Sequence, residues 1–337
     1  MKRKVCLKGI KYIDHYGVAH ISKNIDSIDD LIELADTYEY GRKYNIDLER
    51  IHRIKESLIK LRDMIGLTEI KRTILDQILY FLQDFHEEEM LHTVIQGPPG
   101  VGKTMLAKTI GEIYHKMRIF KDTEVNPYSF NIAKRSDLVG EYLGTTAIKT
   151  QKMIDKSRGG VLLIDEAYSL GNKDKIDSYS KECIDTLNQN LSENKGNFLC
   201  IIAGYKDALN NNFFCHNEGL RRRFPFVYNI ECYKYDELVN IMYDIFTRDK
   251  WVCKRDSRIN DLFKNNLSKL ENMAGDVETI AFNSKIEHSK RVFFMDKSKK
   301  KVITFTDISN AFQTFLRTKT MKQTQEQEKP IISHMYL

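Results

Sequence analysis

The sequence predicts an α/β fold: a three-layer domain built on a parallel sheet, followed by a helical domain and preceded by a small helical region. Three observations predict it. Runs apolar on both faces occur at 161–164 and within 197–203, with a short apolar-leaning stretch at 92–96, separated by stretches long enough for crossover helices. Such runs suit strands buried between two helical layers. A glycine-rich segment at residues 97–104 stands where the first of these strands would hand over to a helix. After residue 231 the strand runs stop, and helical periodicity takes over to about residue 320.

Four regions follow from this. Residues 1–60 open with a short polar piece and then read as helical, with Ile25, Ile28, Leu31, Ile32 and Ala35 on one face. Leu48, Ile51, Ile54, Leu58 and Leu61 share another. Asp26 or Ser27 suits the first N-cap, and Tyr40-Gly41 suits the break between the two helices. Residues 61–230 form the α/β domain. Residues 231–320 carry four helical candidates, 235–250, 259–273, 276–294 and 306–318, with Asp276 and Thr306 as candidate caps. Residues 321–337 are polar and Gln-rich, a frayed tail by composition.

Two segments carry chemistry. Gly97-Pro98-Pro99-Gly100-Val101-Gly102-Lys103-Thr104 matches the P-loop pattern G-x-x-x-x-G-K-[ST] in full. Its glycines let backbone N–H groups wrap phosphates, Lys103 adds a cation for the β- and γ-phosphates of ATP, and the Thr104 hydroxyl suits Mg2+. Val94-Ile95 precedes it as a strand, and Met105, Leu106, Ile110 and Ile113 follow as a helix, with Met105 beside the nucleotide. The second segment is Gly160 to Glu166, in which four apolar residues lead into Asp165 and Glu166. Acids at the carboxyl end of a parallel strand lie where ligands bind. Asp165 is placed to hold the metal, directly or through water, and Glu166 to orient the attacking water.

The pairing of GPPGVGKT with VLLIDEA resembles the AAA+ ATPases, and within them the group of the red-type rubisco activase and the sporulation stage V protein K-like ATPases. Met64-Ile65-Gly66-Leu67 with Lys71 is similar to the helix that opens that group's domain, which implies adenine contact by the backbone at Ile65 and Gly66. Asp137 to Gly144 resembles its pore-loop segment, which implies that Tyr142-Leu143-Gly144 grips a polypeptide. Asn217 to Phe224 resembles its arginine-finger segment, which implies that Arg223, with Arg221 close behind, reaches a neighbour's γ-phosphate. The resemblance implies a homo-oligomeric ring, most often of six subunits, that hydrolyses ATP to remodel a protein client. It does not make rubisco the client. Two positions depart from the wider pattern. Tyr205 stands where many relatives carry a sensor Asn, and Glu278 stands where an Arg is expected, with Lys285, Lys290 or Arg291 as possible substitutes.

Composition sets the outer bounds. With 337 residues, 42% hydrophobic and 30% charged, the chain has the make-up of a globular protein with a real core. It contains no apolar run near the roughly 20 residues of a membrane helix. The basic start Met1-Lys2-Arg3-Lys4 lacks a following apolar segment, so no secretory signal is expected. The six Cys, including Cys6, form no C-x-x-C, which favours reduced thiols in a cytoplasmic or similar compartment. The nine His are dispersed and suggest no metal site. Richness in Lys, Ile and Asn suits a large DNA virus or an AT-rich microbe. A net charge of +6 permits a nucleic-acid partner without indicating one, and the run 297–301 reads as a solvated loop. A nucleic-acid motor or loader, and a nucleotide-gated scaffold with little turnover, are the competing readings.

Overall fold

The structure, a computed structural model, describes residues 10–86, 89–121, 128–142, 144–171, 177–216, 218–295 and 300–327. Leu143, Asn217, Cys6, most of the 297–301 run and the last ten residues therefore lie outside the described residues. The chain divides into two compact units: Met1–Gly97 with Gly102–Ile230, and Pro98–Val101 with Glu231–Leu337.

The first unit begins with strands β1 (Ile10–Ile13) and β2 (Val18–Ile21), helix α1 (Ile28–Ala35), strand β3 (Lys43–Tyr44) and helices α2 (Leu48–Asp63) and α3 (Thr68–Phe81). Ser27 caps α1 through a reciprocal pair with Asp30, and the apolar faces of both helices are buried. The helical periodicity of this region does not announce its three-stranded sheet. β2 pairs antiparallel with β1 and parallel with β3. These strands are too short for an alternation to stand out, and β3 gains its partner only through folding. Helix α2 runs to Asp63 and packs on the helix that follows the glycine-rich loop. The buried Arg50 marks this seam, donating from Nε to Met117 O at 3.0 Å and pairing with Asp84 at 2.7 Å.

The α/β part continues as β4 (Thr93–Gln96), α4 (Lys103–Lys116), β5 (Phe130–Ala133), α5 (Arg135–Leu138), α6 (Thr145–Lys156), β6 (Val161–Ile164), α7 (Ser178–Glu193), β7 (Leu199–Gly204), α8 (Lys206–Ala208), α9 (Glu218–Arg221) and β8 (Phe226–Asn229). The five strands are parallel in the order β5-β6-β7-β4-β8. The central β4, β6 and β7 are wholly buried, which is why β6 and β7 read as continuous apolar runs, while β4, Thr93-Val94-Ile95-Gln96, is apolar only at its centre. β5 and β8 are the edges. Their residues are largely half-buried or exposed: β5 is interrupted by Asn131, and β8, although Phe226-Val227-Tyr228 is apolar, follows directly on Pro225, so both escape notice in the sequence. Leu162, Ile164, Cys200 and Ile202 face Ile184, Leu187 and Leu191 of α7, while α4 covers the opposite face. Burying each such Leu or Ile contributes about 1.5–3 kcal/mol, so the site edge rests on a rigid floor.

The second unit consists of α10 (Tyr235–Arg248), β9 (Val252–Cys253), α11 (Ser257–Asn265), α12 (Ala274–Arg291), β10 (Val302–Ile303) and α13 (Phe305–Gln327). Leu238, Met242, Phe246, Phe263, Ile280 and Phe312 centre its core. Three expectations shift here. Asp276 does not cap α12; it is buried in the first turn and accepts from Asn272 N at 3.0 Å. Asp307, not Thr306, organises the start of α13, accepting from Thr304 N at 2.9 Å. The tail is helical through Gln327, well past residue 320. The loop segment 98–101 belongs to this unit: Ala274 N donates to Gly100 O at 3.2 Å, and Tyr233 Oη to Val101 O at 3.1 Å.

Candidate functional site

Strand order places the ends of β6, β7 and β4 side by side, so Asp165, Tyr205 and Gly97 emerge at one edge of the sheet. Gly97 N donates to Gly204 O at 3.1 Å, which ties the start of the phosphate loop to β7. Gly100 (φ +69°) and Gly102 (φ +85°) both turn left-handed, as a loop that wraps its N–H groups inward requires. Gly102 begins α4, and no side chain caps that end. A helix N-terminus preceded by a residue with no side chain to cap it is a position that favours an anion.

Lys103 is half-buried in the first turn and donates from Nζ to Gly97 O at 3.0 Å. Burial pulls its pKa down, while the carboxylates of Asp165 and Glu166 oppose that shift and mark it as their electrostatic partner. Thr104 is exposed beside it, as is Met105, whereas Val101 is buried. Asp165 accepts from Glu166 N at 3.1 Å. Glu166 is exposed and holds φ +53°, a sparsely populated region for a residue with a Cβ. Among the described residues no three His, Cys, Asp or Glu side chains converge as a metal site. A hydroxyl and one carboxylate completed by phosphate oxygens is the usual protein share for Mg2+, and Thr104 and Asp165 fit that share.

Ile65 and Gly66 are half-buried in the turn between α2 and α3, where Gly66 and Leu67 both have positive φ. Lys71 braces this turn, donating from Nζ to Arg62 O at 2.8 Å and to Met64 O. Tyr142 is 71% exposed. Thr145 Oγ1 donates to Tyr142 O at 2.6 Å, so the loop is pinned at its base while the ring stands in solvent. Gly144 (φ +80°) leads into α6.

The two finger candidates differ. Arg223 is half-buried and donates to Ser192 Oγ and Gly219 O, both at 2.6 Å. Arg221 is exposed, with its guanidinium 4.8 Å from the Phe214 ring centre and donating to Asn210 Oδ1. Glu278 is exposed at the position of the expected Arg. The three possible substitutes are engaged elsewhere in their own unit: Lys285 with Asp249, Lys290 with Glu287 and Arg291 with Asp307. One residue of the site edge escapes sequence reasoning. Tyr168 lies two positions past Glu166, and nothing in its local pattern points to a role.

Residues 93–231 match the family described as ATPase family associated with various cellular activities (AAA). A cfxQ-like protein of Acanthamoeba polyphaga mimivirus is 44% identical over 298 residues, covering 86% of this chain and 72% of that protein. The chain belongs to the AAA family. Within this family, stage V sporulation protein K of Bacillus subtilis is 35% identical over 196 residues, which are 56% of this chain and 59% of that protein. The resemblance to the sporulation-protein group therefore holds. The chain spans about three fifths of the sporulation protein's own length. The AAA domain of FIGL-1 with ADP superposes with a TM-score of 0.55 at 15% identity, covering 92% of this chain and 99% of that one, which is a likeness of fold. Among the described residues, no helix of this AAA protein is long and apolar enough to cross a membrane.

Proposed function

We propose that this AAA protein hydrolyses ATP to ADP and phosphate, works as a homo-oligomeric ring, and remodels a protein client. The observation that carries the reading is that the glycine-rich loop leading to Lys103 and the acid pair Asp165 and Glu166 leave the same edge of the sheet. Residues 97–104 bind the phosphates, with Lys103 countering their charge. Ile65 and Gly66 present backbone to the adenine. Thr104 and Asp165 would hold Mg2+, whose charge offsets that of the phosphates when it is bound. Glu166 accepts the proton of the attacking water, and its exposure leaves room for that water. Arg221 or Arg223 acts on a neighbouring subunit's nucleotide. Arg221 has the more exposed guanidinium, whereas Arg223 must first leave Ser192 and Gly219. The exposed Tyr142 with its pinned base supports a grip on an extended chain.

Steady-state ATP turnover of the full chain tests this reading. Glu166→Gln is expected to retain ATP binding and lose turnover about 100-fold or more. Wild-type turnover in that variant would sink the hydrolytic reading. It would favour a nucleotide-gated scaffold, which the exposed Glu278 and the paired Lys285, Lys290 and Arg291 also suit.

A further inference from the structure

Strands β5 and β6 lie side by side and leave the sheet together, with Asp165 N donating to Ala133 O at 3.0 Å. They lead to different places. β6 runs into the acid pair and a 3-10 turn, Ala167–Leu170, in which Ser169 N donates to Glu166 O at 2.8 Å. β5 runs into α5 and then the Tyr142 loop. Arg135, the first residue of α5, bridges the two paths. Its Nη1 donates to Ser169 O at 2.9 Å and to Ser180 Oγ at 2.6 Å, and its Nη2 to Asp177 Oδ2 at 2.6 Å. Asp177 is the N-cap of α7. One guanidinium therefore ties the turn behind Glu166 and the start of α7 to the root of the Tyr142 loop.

Both ends of this tie are braced. On the loop side, Lys149 Nζ donates to Ser136 O at 2.6 Å and to Val139 O at 3.1 Å, and Thr150 Oγ1 donates to Leu138 O at 3.1 Å. Gly140 N donates to Thr146 Oγ1 at 3.0 Å, so α5 and the loop root are fastened to α6. On the other side, the Tyr168 ring sits on Gly204, where a Cβ would come within 2.9 Å of Tyr168 Cδ1. It also stacks on Tyr205, with ring centres 5.6 Å apart and planes inclined by 29°. Tyr205 in turn faces Lys103, whose Nζ lies 5.5 Å from the ring centre. Contacts thus run unbroken from Lys103 through two rings and the 3-10 turn to Arg135 and the loop root.

We propose that Arg135 is a positioning residue that makes the root of the Tyr142 loop follow the Glu166 turn when nucleotide binds at the sheet edge. The inference rests on the readings of residues 97–104 as the phosphate site and of Tyr142 as the client grip. A planar fork bonded to three acceptors passes on a displacement of any one of them, whereas a single bond on a flexible stem absorbs it. The client grip is then set by the state of the nucleotide edge, although Tyr142 itself stands in solvent.

The test is hydrogen exchange of the backbone amides of residues 136–142 in the full chain, without nucleotide and with the non-hydrolysable analogue AMP-PNP and Mg2+. In wild type the analogue is expected to change exchange there by about threefold or more. In Arg135→Gln that nucleotide dependence is expected to vanish, with the affinity for AMP-PNP within about threefold of wild type. Arg135→Lys keeps the charge without the fork and should lose most of the dependence. Asp177→Asn still caps α7, weakens the hold on the guanidinium and should lose part of it. These two variants carry the same comparison if Arg135→Gln does not fold. An Arg135 that only supports the fold would leave exchange faster by the same factor in both states. A nucleotide dependence as large as that of wild type in the Arg135 variants therefore overturns the inference. So does a wild type that binds AMP-PNP with unchanged exchange at 136–142, a result that leaves the hydrolytic reading standing. A wild type that binds no AMP-PNP fails the proposed function itself and takes the inference with it.

Discussion

The sheet edge at Asp165 and Glu166 and the Tyr142 loop belong to the same unit and are built on opposite principles. At the sheet edge, Asp165 and Glu166 follow a wholly buried strand, Lys103 is half-buried, and strain is held in the αL backbone of Glu166. At the Tyr142 loop, two contacts with Thr145 pin the base and the ring is left in solvent. Groups that must meet reacting atoms within tenths of an ångström need a rigid floor. A group that accepts many client side chains, the role proposed for Tyr142, needs freedom instead. The same contrast separates Arg223, held by its own subunit, from Arg221, presented outward.

The comparison can be broken most directly at the sheet edge. Lys103→Ala should lower ATP turnover by about 100-fold or more and weaken nucleotide binding, with the unfolding midpoint little changed; a nucleotide titration beside a denaturant melt reads both. Beneath it, Leu163→Ala removes a fully buried strand residue and should cost about 2–5 kcal/mol in chemical denaturation.

A pH titration of stability probes the same floor. His92 is buried, with Nδ1 accepting from Cys200 N at 3.1 Å and Nε2 facing Leu191 O at 3.2 Å, which suits a neutral ring. Burial pulls its pKa from 6.5 to about 4. Between those values the folded chain binds fewer protons than the unfolded one. Its contribution is therefore complete above pH 6.5 and lost as pH falls toward 4, by about 3 kcal/mol in all. His92→Gln should flatten that segment of the curve.

Smaller effects sharpen the arginine contrast. Arg223→Ala forfeits its bonds to Ser192 and Gly219 and should cost about 1–2 kcal/mol. Arg221→Ala should cost less than about 0.5 kcal/mol, yet lower turnover at concentrations where subunits assemble. Tyr142→Ala sits at the end of the series. It should leave the unfolding free energy within about 0.5 kcal/mol of wild type while removing client-dependent remodelling, and a loss of stability there would erase the contrast between the two loops.

Much of this was legible before folding is considered. The phosphate loop, the acid pair and the three central strands are contiguous in sequence, and their chemistry depends on neighbours one to seven positions away. The edge strands β5 and β8 were less legible: β5 is half-exposed and interrupted by Asn131, and the short run Phe226-Val227-Tyr228 of β8 sits directly behind Pro225. Nor was the N-terminal sheet, whose two-residue β3 exists only by pairing with β2. Glu278 was visible as a departure, but only the folded unit shows Lys285, Lys290 and Arg291 already paired with acids.

By itself, then, the sequence determined that a P-loop α/β domain with a helical partner would form and offered the residues proposed to face ATP, because local backbone chemistry and burial periodicity are written in short stretches. The tertiary structure alone decided what surrounds those residues. The order β6-β7-β4 carries Tyr205 between Lys103 and Glu166, and a 3-10 turn lays Tyr168 onto Gly204. Such neighbours come from strand order and turn geometry, which bring together side chains that no spacing along the chain relates.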